Sequence, residues 1–353
     1  KQCCMKFEAI TLKDIAKALG LSTSTVSRAL RDSYEINEET KRRVLEYAQK
    51  FNYQPNPAAL GLKERRTRSI GVIVSEIANT FFSQAINGID STAYNRGYNV
   101  IIAQSHESFE REILNLQYLT SRSIDGLLIS LSTETKDIQH IKTLHEKGLP
   151  VVFFDRITEE INTHKVTVDN FRGAYEVVEY LIQMGYRRIA HLANAKYLSI
   201  TIERLLGYEK ALQDHQIEVP ASYIQYCMHG GSVEKEIEKA LDVLLTMKKK
   251  PEVIFSAGDR LTVGCLRLLK AKKIRVPDDI AMVGFSNSEV MDLFNPPLTI
   301  VKQPAFEMGQ IATEMLINLI ESRRLVTEFE KIVLPAQILT RDSSVQKKKS
   351  RSV

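Results

Sequence analysis

Nine runs of strand length, apolar almost without a break, recur between residues 69 and 286, and a helical pattern separates most neighbours. The first four are SIGVIVS (69–75), YNVIIAQS (98–105), DGLLISL (125–131) and PVVFFDR (150–156). The next five are KVTVDN (165–170), RRIAHLA (187–193), YIQYCM (223–228), VIFSAG (253–258) and IAMVGFS (280–286). Strands that face solvent on one side alternate apolar with polar residues; continuous apolar runs between helices belong to parallel sheets covered on both faces. The chain is therefore expected to fold as two consecutive doubly wound α/β units of about 100 to 130 residues each, within the usual domain size. A helix over 305–322 and a strand KIVLPAQIL (331–339) follow and are expected to cross back between the units. The expected core spans 69–343, with subdomain one at 69–164 plus 299–326, subdomain two at 165–298 plus 327–343, and a basic tail at 344–353.

Residues 11–30, TLKDIAKALGLSTSTVSRAL, are written differently. Thr11 with Asp14 three residues on makes a capping-box-like helix start, and Ile15, Ala16 and Leu19 fall on one face. Gly20 stops that helix. Ser22 is a second N-cap, and the helix from Thr23 buries Val26 and Leu30 while Thr23, Ser24, Thr25, Ser27 and Arg28 face outward. Two short helices at a tight turn, the second presenting small hydroxyls and an arginine, make a helix-turn-helix whose outer face can enter a major groove. The same spacing also serves an ordinary helical hairpin with a solvated face. Asn37 caps a third helix with Glu38 and Glu39 in its first turn and a buried stripe of Val44, Leu45 and Ala48. Lys41, Arg42 and Arg43 ride its outer face, as phosphate contacts or as a solvated charge run. An all-α domain at 10–55 follows. Within NYQPNPAALGLKERRTR (52–68), Ala58 to Lys63 can form one or two helical turns, marginal on their own in water. Leu62 is exposed on them, available to a partner helix or as a wedge between bases. Residues 56–68 are thus read as a hinge helix and linker.

Charge supports that division. The 353 residues carry a net +5, yet residues 1–68 hold 14 Lys and Arg against 8 Asp and Glu, so the positive charge gathers where a polyanion would be met. No run approaches the roughly eighteen apolar residues that cross a membrane, and KQCCMKFEAI lacks the basic-then-apolar build of a secretory signal. Cys3, Cys4, Cys227 and Cys265 form no CxxC and no ligand spacing with histidine, so a reduced cytoplasm is expected and no metal or cofactor.

With TLKDIAKALGLSTSTVSRAL, NYQPNPAALGL, SIGVIVSEIANTFFSQAINGI, DGLLIS, PVVFFDR, VDN (168–170), GYRRIAHL, ERLLGY (203–208), VPDDIAMVGFSN and PPLTIVKQP in that order, the chain resembles the lactose-repressor/galactose-repressor family of bacterial transcription regulators over nearly its whole length. The resemblance implies a regulator, of carbohydrate-utilisation genes and acting as a repressor, that binds double-stranded DNA at a pseudo-palindrome as a homodimer. Its core would resemble periplasmic binding proteins, with a sugar or sugar derivative between the two subdomains. Carried over, Thr23, Ser24 and Arg28 read base edges, and Thr25, Ser27, Asn37 and Thr40, with the caps Thr11 and Ser22, meet the backbone. Asn56, Ala59 and Leu62 fall where the hinge helix enters the minor groove. An arginine can grip guanine O6 and N7 together, worth roughly 1 to 3 kcal/mol of discrimination.

The effector cleft is expected beyond the carboxyl ends of the strands. That rule selects Ser75, Asn79, Phe81 and Phe82 after the first strand, Asp155 and Arg156 after the fourth, Arg204 in the second unit, Asp259, and Ser286 with Asn287. Carboxylates and guanidinium forks suit vicinal hydroxyls, and a phenylalanine face suits a sugar ring. Gly258 stands where the family commonly has asparagine and Ser286 where it has aspartate, which leaves Arg204 freer for an anionic ligand. Two other classes compete. A sugar-binding transport module would share the core but not the basic head. An esterase-like reading of Gly284-Phe285-Ser286-Asn287-Ser288 lacks the last glycine of a nucleophile elbow, and no histidine follows Ser286.

Overall fold

The structure is a computed structural model that describes residues 10–53 and 66–345. It divides into two units, 1–67 and 68–353. The expected hinge turn, with Asn56, Ala59 and Leu62, lies outside the described residues, as does the tail beyond Val345.

In the first unit, α1 (Leu12–Leu19), α2 (Thr23–Ala29) and α3 (Glu38–Lys50) enclose a small core of Ile15, Ala16, Val26, Ala29, Val44 and Ala48. Each helix begins as its sequence dictates. Thr11 and Asp14 form a full capping box, Ser22 Oγ accepts from Thr25 N at 3.0 Å, and Asn37 Oδ1 accepts from Thr40 N at 2.8 Å. A cap of this kind contributes about 1 kcal/mol. Gly20 turns the chain between α1 and α2 at φ +66°, a left-handed conformation that costs glycine nothing. Two expectations fail here. Leu45 is 50% exposed, because the inward face of α3 runs through Lys41, Val44 and Ala48, and Leu45 lies a quarter-turn off it. Lys41 does not ride the outer face: it is buried, with Nζ 2.7 Å from Asp32 and 2.9 Å from Glu38. On α2 it is Ala29 that joins Val26 inside, with Leu30 half-buried.

The second unit holds two six-stranded sheets. The first runs β11-β5-β4-β3-β1-β2, from β1 (Ser69–Val74), β2 (Asn99–Gln104), β3 (Gly126–Ile129), β4 (Val151–Phe154), β5 (Lys165–Val168) and β11 (Lys331–Leu334), all parallel. Helices α4 (Thr80–Asn95) and α11 (Ala305–Glu321) cover one face, and α5 (Phe109–Ser121) and α6 (Gln139–Glu146) the other. The alternation is visible in β1, which sends Ile70, Val72 and Val74 to the first core and Ile73 to the second. The second sheet runs β12-β10-β9-β8-β6-β7, from β6 (Ile189–Ala193), β7 (Ile224–Tyr226), β8 (Val253–Ser256), β9 (Ala281–Phe285), β10 (Thr299–Lys302) and the antiparallel edge β12 (Gln337–Leu339). α7 (Asn170–Gln183) with α8 (Ser199–Asp214) covers one of its faces, and α9 (Glu234–Thr246) with α10 (Asp259–Ala271) the other.

The expected subdomain boundaries need correcting. β5, assigned by its sequence position to subdomain two, pairs with β4 in the first sheet. β10, expected in subdomain one, pairs with β9 in the second, and β11 returns to the first beside β5. The chain thus crosses between subdomains at 169, at 303 and at 335. A strand apolar on both faces fits either sheet, so its sequence carries no record of its neighbour. KIVLPAQIL is two strands rather than one, broken at Pro335, which has no N–H for a ladder. The tail begins later than 344: Thr299 Oγ1 and Ser344 Oγ lie 2.6 Å apart, and Ser343 Oγ donates to Met282 O at 2.7 Å.

Candidate functional site

On α2 the outward positions form one working face. Thr23, Ser24 and Arg28 are exposed, and Ser24 and Arg28, four apart, stand on the same side of the helix. Thr25, Ser27 and Thr40 are half-buried; Thr11, Ser22 and Asn37 are exposed but occupied in capping. Arg31 turns back to Ser27, its Nε on the backbone oxygen at 3.1 Å. Arg28 meets Glu35 at 3.0 Å.

In the second unit a small cavity of about 50 Å³ opens where the carboxyl ends of the strands of both sheets converge. Ser75 follows β1, and Asn79 caps α4, accepting from Phe81 N at 2.9 Å, so that Phe81 and Phe82 close the floor. Asp155 follows β4 at φ +61°, a left-handed conformation that aspartate adopts more readily than most residues, and Ser130 Oγ donates to it at 3.2 Å. Arg204 reaches in from α8 and Asp259 from the first turn of α10. Ser286 and Asn287 do not line the cavity; Ser286 instead donates to Asp259, and Asn287 Nδ2 donates to Gln84 Oε1 and Gln303 O, each at 2.7 Å.

Arg156, expected in the cleft beside Asp155, lines the cavity, and three polar liners escaped the sequence reading as site residues: Glu107, Asn194 and Gln303. The signal for them was the same rule, since they follow β2, β6 and β10. Glu107 and Arg156 form a buried two-pronged ion pair, Nη1 to Oε2 at 2.6 Å and Nη2 to Oε1 at 3.0 Å, and Thr133 gives the same carboxylate its N–H and hydroxyl. Burial works to raise the Glu107 carboxyl, but Arg156 and Thr133 outweigh it and hold it below the usual range. Asn194 explains Gly258: a Cβ at 258 would lie 3.1 Å from the Asn194 amide nitrogen, so an amide from β6 occupies the space beside it. Two buried polar atoms of these liners, Arg156 Nε and Asn194 Oδ1, have no hydrogen-bond partner in the protein, Arg156 Nε lying 4.0 Å from Asp155 Oδ2.

Each guanidinium of the cavity is engaged, two by carboxylates and one by neutral acceptors. Arg156 is matched by Glu107, and Arg260, the third guanidinium, by Glu76. Arg204 is not free, as the loss of an acid at 286 suggested. It donates to Asn170 Oδ1 (2.8 Å), Ala257 O (2.7 Å) and Gln303 Oε1 (2.9 Å), and its plane lies 3.8 Å from the centre of the Phe285 ring. Burial pushes it down to about 10, against the pull of Asp155. Burial raises the Asp155 carboxyl, which Arg156 and Arg204 counter, and it raises Asp259, which Ser286 and the Asn287 N–H counter.

Lys136 Nζ lies 5.1 Å from the centre of the Tyr197 ring, and among the described residues further contacts tie the subdomains across the cleft. They include the Glu76–Arg260 ion pair, the paired amides of Gln84 and Asn287, Tyr197 Oη to Thr133 O, and Ile157 N to Ser199 Oγ at 3.4 Å. Among the described residues no three potential metal ligands cluster, and no helix is long and apolar enough to cross a membrane.

A polar-faced helix-turn-helix preceding a two-sheet core with a cleft is the layout that known proteins match. Residues 11–56 fit the model described as bacterial regulatory proteins, lacI family, and residues 178–344 that of the periplasmic binding protein-like domain. The HTH-type transcriptional repressor PurR of Vibrio cholerae serotype O1 is 31% identical over 313 residues, 89% of this chain and 92% of its own. The chain belongs to the lacI family of bacterial regulatory proteins. Among solved structures, the transcriptional regulator CelR–cellobiose complex is 28% identical with a TM-score of 0.69, covering 95% of this chain and 99% of its own. The Lac repressor dimer bound to operator and the anti-inducer ONPF shares the fold, with a TM-score of 0.78 at 24% identity over 96% of this chain and all of that one. This lacI-family chain is a DNA-binding transcriptional regulator with an effector-binding core, and both the transport-module and the enzyme readings give way.

Proposed function

We propose that the protein is a cytoplasmic repressor of carbohydrate-utilisation genes that acts as a homodimer on a pseudo-palindromic operator and answers to an uncharged sugar or sugar derivative. The observation that carries the ligand class is that no guanidinium in the cavity stands unengaged: Arg156 and Arg260 are ion-paired and Arg204 spends its donors on Asn170, Ala257 and Gln303, whereas a hydroxyl can donate to Asn194 Oδ1 or accept from Arg156 Nε without breaking these contacts. Cellobiose in the similar regulator CelR supports the same class. Thr23, Ser24 and Arg28 are assigned to base edges, and Thr25, Ser27, Asn37 and Thr40, with Thr11 and Ser22, to the backbone. The lining set Ser75, Asn79, Phe81, Phe82, Asp155, Arg204 and Asp259 is assigned to the effector, with Ser286 and Asn287 supporting it from behind.

The homodimer is supported by exposed apolar residues on both subdomains of the core. β2 is a sheet edge with Ile102 exposed, and Leu114 and Tyr118 project from α5. A groove of about 1220 Å³ lined by Val263, Leu293 and Phe294 adds to them.

The test is a thermal-shift panel of neutral sugars, sugar acids, sugar phosphates and purines, with hits repeated on a duplex selected from a random pool. A neutral sugar that raises the melting temperature and changes affinity for the selected duplex is the expected result. A response confined to sugar phosphates or acids overturns the ligand class, and failure to select any duplex overturns the assignment to DNA.

A further inference from the structure

The loop from α2 to α3 folds back on the reading helix. Ser33 N donates to Arg28 O at 3.1 Å, Asp32 turns the chain at φ +54°, and Glu35 is delivered with Oε2 3.0 Å from Arg28 Nη1, both side chains about half exposed. Arg28 and Arg31 are the cations of α2 and the turn after it, and Arg31 spends its Nε and Nη2 on Ser27. The arginine of this helix whose guanidinium is left for a two-pronged grip on guanine therefore carries its own counter-charge.

We propose that Glu35 is a specificity-determining positioning residue: by neutralising Arg28 it suppresses contacts to backbone phosphate and leaves those to guanine. The proposal rests on the assignment of Arg28 to base edges. Non-specific affinity comes from charge, because each phosphate neutralised releases condensed counterions. A guanidinium paired with a carboxylate is neutral as a unit and releases almost none. Guanine O6 and N7, by contrast, offer two aligned acceptors on an uncharged base, and the directed bonds to them survive the pairing. An ion pair as exposed as this one contributes little to folding, so its effect falls on recognition.

The experiment measures binding of the full chain to its selected duplex and to an unselected random duplex over a range of salt. In Glu35→Gln, random-duplex affinity is expected to rise about three- to tenfold and its salt dependence to steepen by about one counterion. Affinity for the selected duplex should change less than about twofold, so the specificity ratio falls, with the melting temperature unchanged. Glu35→Asp should keep the ratio. In the Arg28→Ala background the effect of Glu35→Gln should disappear. An unchanged ratio, an equal fall in the control Glu39→Gln, or an effect that persists without Arg28 overturns the proposal. Arg28→Ala weakening both duplexes alike identifies a different failure, that of the base-reading assignment itself.

Discussion

His191 lies in β6 at the heart of the second subdomain, stacked 5.0 Å from Tyr208 and 4.7 Å from Phe255, with neither ring nitrogen bonded to another side chain. Burial holds it neutral, down to about 3. The unfolded chain takes up this proton near the ordinary value of about 6.5, so between the two values the unfolded state binds more protons and stability falls as pH falls. Replacement by phenylalanine, which suits an aromatic slot, should flatten that acid limb: melting temperatures from about pH 7 to pH 5 should drop less in His191→Phe than in the parent. Equal slopes would mean that other groups govern the acid response. Other single residues explain what the sequence did and did not reveal about the site. Asp155, Asp259 and Arg204 were legible because their place after a strand, or their motif, announces them. Whether Arg204 was free was not legible, since its partners Asn170, Ala257 and Gln303 come from elements far apart in the chain.

At the scale of elements, the closest contact in the core is between α4 and α11. A Cβ on Gly88 would stand 2.0 Å from Phe306 O, and one on Gly309 2.1 Å from Ala85 O, so the two helices touch backbone to backbone. Gly309→Ala forces rigid backbones apart and should cost about 1 to 3 kcal/mol, read as a melting temperature lowered by several degrees. Gly264→Ala in α10 meets only the tip of Ile237 at 2.5 Å, a flexible neighbour, and should be milder. If the two variants melt alike, the helix crossing is looser than the contact implies. The nine apolar runs were legible as strands and Thr11, Ser22 and Asn37 as helix caps, because these are local signals, whereas the short strand β10 was not read as one and KIVLPAQIL was read as a single strand. Which sheet β5, β10 and β11 would join was not legible, because pairing is decided by neighbours distant in sequence. Leu45 and Lys41 on α3 failed for a related reason: a salt-bridged lysine took the inward place that hydrophobicity alone gave to leucine.

For the core as a whole, the cavity of about 50 Å³ has room for little more than one water, whose share of liquid is about 30 Å³. A sugar can be admitted only if the subdomains part, and the contacts across the cleft oppose that. Glu76→Gln removes the ionic one. Faster amide exchange is then expected in 76–84 and 257–262, with only a small loss in melting temperature. Unchanged exchange would mean that the remaining contacts across the cleft suffice to hold it.

The three crossings at 169, 303 and 335 bear on how such parting can occur. Two bodies joined by one strand of chain can swing and twist in any direction; joined by three, side by side, they retain little more than a single rotation. Wherever in the cleft a molecule presses, the core can report it only along that one coordinate, so ligands of different shape are converted into the same movement and differ only in how far along it they hold the protein.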